Sequence, residues 1–206
     1  MSKYQDFVIK DGTFVGMFEE MYQKFDDPWI QSEIDHSVSR QMSVLNLQRY
    51  KISSVIEYGC GLGYFSQMIQ KSTNAKVIGV DISETAISKA RSMFPNIDFR
   101  VGDVNDVAQL AGEKIDCILF AEITWYVLPQ LKEFFNCILE NFSGKYFFHN
   151  LVFYQNSVQQ YGVEYFKNLE QFIDFCPLKL LETTVRTPRD VTATIETHSV
   201  FEITRK

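Results

Sequence analysis

The 206 residues hold only four cysteines, five prolines and ten glycines, and each scarcity excludes something. Cys60, Cys117, Cys137 and Cys176 never pair as CxxC, and all but Cys60 lie in apolar stretches that read as strand or helix. A zinc site or disulfide framework needs closer, polar-flanked spacing. Reduced and mostly buried thiols are therefore expected, with no metal site and a reducing compartment. No Gly/Ser or Pro-rich linker, repeat or low-complexity run interrupts the chain, so residues 1–206 are expected to form one domain. No apolar run approaches membrane-spanning length, and the start MSKYQDFVIKDG lacks the charged and apolar regions of a signal peptide. A cytoplasmic protein without a membrane partner is the expectation. Positive charge is also short: 20 basic residues stand against 26 acidic, a net charge of -6. That balance gives no electrostatic reason to bind a polyphosphate backbone, so nucleic acid is not an expected partner.

What is present divides by periodicity into three stretches. Residues 1–50 read as a helical cap: Phe14, Met17, Phe18, Met21, Tyr22 and Phe25 follow helical spacing until Asp26-Asp27-Pro28-Trp29 breaks it. A second helix would carry Ile34, Val38, Met42 and Leu45 on one face. Residues 51–150 alternate apolar runs with helical patterns. Strands are expected at Ser54–Tyr58, Lys76–Val80, Asp98–Val101, Ile115–Ala121 and Lys145–His149. Helices are expected at Phe65–Lys71, Ala86–Phe94 (capped by Ser83), near Val107–Leu110 and at Leu128–Asn141, where Pro129 suits a first turn. This alternation argues for βαβ units and a parallel sheet. In residues 151–206 a helix carrying Val163, Phe166, Leu169 and Ile173 ends at Pro177. Leu178–Thr187 and Val191–Ile203, joined by Pro188-Arg189-Asp190, then suggest an antiparallel hairpin closing the sheet. The fold class is thus α/β, with a mostly parallel sheet and helices on both faces.

The most informative stretch is Glu57-Tyr58-Gly59-Cys60-Gly61-Leu62-Gly63-Tyr64-Phe65, a strand running through glycines straight into a helix. Glycines there let backbone approach a ligand closely, and the helix start offers free N–H groups. Asp81 closes the second strand, where a carboxylate can accept both hydroxyl protons of a ribose. Asp103 follows the third strand, where an acid can accept a proton from an adenine amino group. Each feature alone reads equally as a turn or cap residue. Three of them after three successive strands would line one crevice. A dinucleotide fingerprint wants glycine at residue 64, which is Tyr, so a nucleotide-dependent oxidoreductase is disfavoured.

With this motif set the chain resembles the class I S-adenosylmethionine-dependent methyltransferases over residues 52–150. The resemblance implies a Rossmann-like seven-stranded sheet with a reversed final hairpin, and S-adenosylmethionine as cofactor. It places Glu57, Gly59 and Gly61 beside the methionine part, Asp81 on the ribose, Ile82 beside adenine, and Asp103-Val104 at the adenine edge. Asp27-Pro28-Trp29 with Arg40, and Ala121-Glu122-Ile123-Thr124-Trp125-Tyr126, are similar to segments of small bacterial nodulation-type N-methyltransferases. That similarity implies Trp29 and Arg40 closing over the cofactor, Arg40 toward its carboxylate, with Glu122 at the same site; Arg40 reads equally as a solvated helix residue. The Asn-Pro-Pro-Tyr motif of enzymes methylating adenine N6 or glutamine amides is absent after strand four.

Methyl transfer from a sulfonium is an in-line displacement that needs alignment in a water-poor pocket, and a hydroxyl acceptor benefits from a base. Candidates at the strand ends are Glu122, Tyr126 and His149, whose imidazole suits proton removal near neutrality; His149 also reads as a hydrogen-bonded structural residue. His36 and His198 carry little signal. Phe25 reads as core, whereas Trp29, Trp125 and Tyr126 could form a lid and acceptor wall within an aromatic set that includes Tyr22, Tyr154 and Tyr161. The expected activity is O- or N-methylation of a small molecule, plausible acceptors being a sugar or another surface-glycan precursor. The alternative is a cofactor-binding protein without catalysis.

Overall fold

A computed structural model describes residues 4–155, 159–188 and 194–206, with backbone only at 34–36. Seven strands form one sheet in the order β5-β4-β3-β6-β7-β9-β8. They are β3 (Ser54–Tyr58), β4 (Lys76–Asp81), β5 (Asp98–Val101), β6 (Cys117–Ala121), β7 (Tyr146–Tyr154), β8 (Leu178–Arg186) and β9 (Thr194–Arg205). The first five run parallel, and β9 lies antiparallel to both β7 and β8. β3 and β6 are buried at every position, as strands covered on both faces must be. The chain leaves β3 toward β5 and returns through β6, so a crevice opens at the strands' C-terminal ends between β3 and β6.

Helices cover both faces. On one side lie α2 (Val38–Arg49), α3 (Tyr64–Thr73) and α4 (Glu84–Met93); on the other lie α5 (Leu131–Asn141) and α6 (Leu169–Phe175). The α4 start is capped as expected, Ser83 Oγ accepting the Ala86 N–H at 3.1 Å. Leu131, Phe134, Phe135 and Ile138 bury one stripe of α5 against the sheet.

Three expectations are corrected. The first fifty residues are not helical throughout: a two-stranded hairpin, β1 (Ile9–Lys10) with β2 (Thr13–Phe14), precedes the short α1 (Phe18–Lys24). Phe14 and Phe18 keep helical spacing because both turn toward the cavity described below. The buried side of α2 is Ser39, Ser43, Val44, Asn46 and Leu47, while Val38 and Leu45 are exposed. Its apolar spacing misled because its docking surface is polar. The helix before Pro177 begins only at Leu169, after turns at 161–165. The side chains of Ile34 and His36, and Arg189, Asp190 and the beginning of the expected strand at Val191, lie outside the described residues.

Candidate active site

At the mouth of the crevice is a cavity of about 400 Å³. One half is built by strand ends. Asp81, the last residue of β4, is buried, and its carboxylate accepts the N–H groups of Gly61 (2.8 Å) and Ser83 (2.9 Å). Burial pushes its pKa up, and those two N–H bonds pull it back. Beside it, Ile82 is 56% exposed and lines the cavity with an apolar surface. Asp103 and Val104 follow β5; Asp103 caps a 3-10 turn, accepting the Asn105 N–H at 2.8 Å, and both line the cavity. Gly59 has φ +69°, and a Cβ there would lie 2.2 Å from Ile123 Cγ2, so only glycine fits.

Two expected cofactor residues stand behind this wall. Glu57 is fully buried and accepts the Ser66 hydroxyl at 2.5 Å; burial lifts its pKa to about 7, against the pull of Ser66 and Arg40. Gly61 is also off the cavity, because Tyr22 Oη and the Gln31 amide occupy the space a side chain would need, at 2.5 and 2.6 Å from the Cβ position. Gln31 is a lining residue that sequence reasoning missed. Its Oε1 accepts the Leu62 N–H at 2.8 Å, bolting the N-terminal segment onto the glycine turn. Asp27 supplies the local signal, its carboxylate accepting the N–H groups of Gln31 and Ser32 at 2.7 and 2.9 Å. The segment is held a second time by Glu19 of α1, which accepts bonds from Ser83 Oγ and from the Thr85 hydroxyl and N–H. The two hydroxyls, chiefly, depress the Glu19 pKa to about 2.

Where the two halves of the cavity meet, Arg40 of α2 faces Glu122, with Nη2 3.9 Å from Oε2. The guanidinium lies over the Phe65 ring at 5.6 Å, and its Nε is buried without a partner among the described residues. Glu122 carries φ +68°, a left-handed backbone, with its N–H donated to Asn150 O at 2.9 Å. The second half of the cavity is aromatic: Phe14, Phe18, Tyr22, Trp29, Tyr126 and Tyr154. Tyr126 packs against Phe14, Phe18 and Trp29, and burial raises its phenol pKa, keeping it protonated. Trp125 touches the cavity but is chiefly core, with its indole N–H on Val152 O at 2.9 Å and its ring on Phe153 and Phe166. Tyr161 stacks on Phe14 without reaching the cavity. Phe14 and Phe18 were missed as lining residues because their spacing read as a helix face.

His149 does not join the site. It points to the α5/α6 face, stacked on Phe172 at 4.1 Å, with Nε2 2.7 Å from the Thr124 hydroxyl. Burial lowers its pKa to about 3, which keeps the ring neutral but also removes it from any acceptor in the cavity. The residue types present fit S-adenosylmethionine: a preset carboxylate for ribose, an apolar surface for adenine, and a guanidinium with an unused buried donor for a carboxylate.

Residues 51–152 match a methyltransferase domain family. An uncharacterized methyltransferase-like protein of Schizosaccharomyces pombe is 30% identical over 91 residues, 43% of this chain and 35% of that protein. The aligned part thus spans about a third of that relative's length. Among solved structures, the N-methyltransferase NodS of Bradyrhizobium japonicum WM9, in complex with S-adenosyl-L-homocysteine, shares the fold with TM-score 0.67 at 17% identity, covering 90% of this chain and 96% of that one. An S-adenosylmethionine-dependent methyltransferase of Clostridium acetobutylicum does so with TM-score 0.62 at 13% identity, covering 89% and 99%. Residues 51–152 thus resemble a methyltransferase domain, and the chain shares the fold of solved S-adenosylmethionine-dependent methyltransferases.

Proposed function

We propose that this protein methylates a small acceptor, a neutral or amine-bearing ring such as a sugar or another surface-glycan precursor, in the cytoplasm, with residues 1–206 forming a single domain. The observation that carries this reading is the charge and ring content of the cavity. Among the described lining residues Arg40 is the one cation, against Asp81, Asp103 and Glu122, and the side away from the strand ends carries Phe14, Phe18, Trp29, Tyr126 and Tyr154. With Arg40 given to the cofactor carboxylate, no second cation among the described lining residues is left for a phosphate. Aromatic faces beside a carboxylate suit sugar rings and ammonium groups. S-adenosylmethionine supplies the electrophilic methyl group. Asp81 would hold the ribose hydroxyls, Ile82, Asp103 and Val104 the adenine, and Arg40 the carboxylate. Trp29 and Tyr126 would exclude water and orient the acceptor. Glu122 would accept the proton that an amine or hydroxyl sheds as its lone pair attacks the methyl carbon, with the protonated Tyr126 hydroxyl as a donor to the acceptor. His149 has no part in this scheme.

Calorimetry and product release test it. Asp81→Ala should weaken S-adenosylmethionine binding by about tenfold or more, since buried polar groups would lose their partners. Turnover across neutral sugars, amino sugars, sugar nucleotides and phosphorylated metabolites should favour the first two groups. Turnover confined to phosphorylated acceptors would overturn the acceptor class, and an unchanged affinity in Asp81→Ala the cofactor pocket.

A further inference from the structure

Arg40 and Glu122 belong to separate elements, and no local geometry fixes the gap between them. Asn150, in β7, touches both. Its backbone O accepts the Glu122 N–H at 2.9 Å, and its side-chain amide donates to the hydroxyl of Ser43, one helical turn beyond Arg40, at 2.8 Å. The cluster continues through His198 of β9, whose Nδ1 lies 2.7 Å from Asn150 Oδ1 and whose Nε2 lies 3.1 Å from Asn46 Nδ2. Arg49 Nη1 donates to Asn46 Oδ1 at 2.7 Å.

The proton positions follow. Arg49 can only donate, so the Asn46 oxygen faces it and the Asn46 nitrogen faces His198. Nε2 must then accept, which puts the imidazole hydrogen on Nδ1, donating to Asn150. Asn150 Nδ2 donates to Ser43, and the Ser43 hydroxyl has two acceptors in reach, Ser39 O at 3.1 Å and Asn150 Oδ1 at 3.0 Å. One protonation state satisfies the whole cluster. Ser43, Asn46, Asn150 and His198 are all no more than 1% exposed, so a slip of α2 by one residue would strand several buried polar groups at once.

We propose that Ser43, Asn46, Asn150 and His198 are positioning residues that set the register of α2 on β7 and β9 and thereby fix Arg40 against Glu122 at the cofactor's carboxylate end. This rests on the reading that Arg40 binds that carboxylate. The contrast to measure is affinity for S-adenosylhomocysteine against 5′-methylthioadenosine, which lacks the amino-acid part. Arg40→Ala should weaken only the first ligand, by about tenfold, as a charge-assisted bond is lost. Ser43→Val replaces the hydroxyl by methyl groups and should show the same selective loss, while Ser43→Thr, of the same size as valine but with the hydroxyl kept, should restore binding. If Arg40→Ala treats both ligands alike, the carboxylate reading fails, and the inference with it. If Arg40→Ala is selective but Ser43→Val changes neither ligand, or weakens both equally, the positioning role alone is overturned. Should Ser43→Val fail to fold, Asn46→Ala reads the same contrast from the far end of the cluster.

Discussion

The two faces of the sheet around β7 and β9 each bury a histidine, in opposite ways. On the α5/α6 face, Phe120, Phe134, Phe147, Phe172 and Phe201 pack in tilted and edge-to-face pairs, and His149 sits among them bonded to Thr124, its Nδ1 without a partner among the described residues. On the α2 face, His198 sits in a closed hydrogen-bonded cluster. The two histidines are neighbours across the ladder, Asn150 pairing with His198 and His149 with Ser199, yet one serves as a ring and the other as a relay of polar contacts. The dry face supplies most of the packing energy and tolerates changes of shape only at a cost. The polar face adds little net stability but admits one alignment of its helix.

That contrast can be broken at several depths. The largest effect is expected from Phe172→Ala, which empties the stack over His149 and should lower the unfolding free energy by about 3–5 kcal/mol in urea titration. A smaller loss, about 1–3 kcal/mol, is expected from Asn46→Leu, which leaves His198 Nε2 buried without its donor. The matched change on the other face, His149→Phe with Thr124→Val, removes both polar partners together and should cost about 1 kcal/mol or less. A free Asn46→Leu and a costly double substitution would reverse the assignment of the two faces. The subtlest test is pH. Burial holds the His149 pKa near about 3 and that of His198 near about 4, both below the ordinary 6.5. The unfolded chain therefore takes up protons first, so their stabilisation is complete above about 6.5 and is lost as pH falls toward those values. Glu57 acts in the opposite sense: its folded pKa of about 7 lies above the ordinary 4.5, so folding gains stability as pH falls between them. In Glu57→Gln the fall of melting temperature from pH 7 to 4.5 should be steeper than in the parent chain.

The same difference between the faces decides what was legible from residues alone. β3 and β5 have the bounds read from Ser54–Tyr58 and Asp98–Val101; β3 announces itself as a buried apolar run, and β5, with only Phe99 buried, by its place before the Gly102-Asp103 turn. The crevice acids Asp81 and Asp103 were legible by the same signals, Asp81 closing such a run and Asp103 standing in that turn. The docking face of α2 was not, since Ser43 and Asn46 find their partners, Asn150 and His198, more than a hundred residues away. Hydrophobic periodicity has no term for a buried polar face. Nor could it separate Phe14 from a helix, because β1 and β2 are two residues each and their aromatics happen to fall at helical intervals. His149 looked like a base because its strand ends at the crevice, but β7 continues to Tyr154, and its alternation turns the ring to the opposite side from Asn150.

Glu122 is where the interests of the fold and of the catalyst diverge. Its φ of +68° is a conformation that glycine or asparagine adopts readily and that costs other residues roughly 1–2 kcal/mol. A chain optimised for thermal endurance alone would exchange this glutamate for glycine and lose the carboxylate facing Arg40. Stabilisation schemes that score the backbone residue by residue would select that exchange early, and a melting curve would not reveal that the carboxylate facing Arg40 had gone.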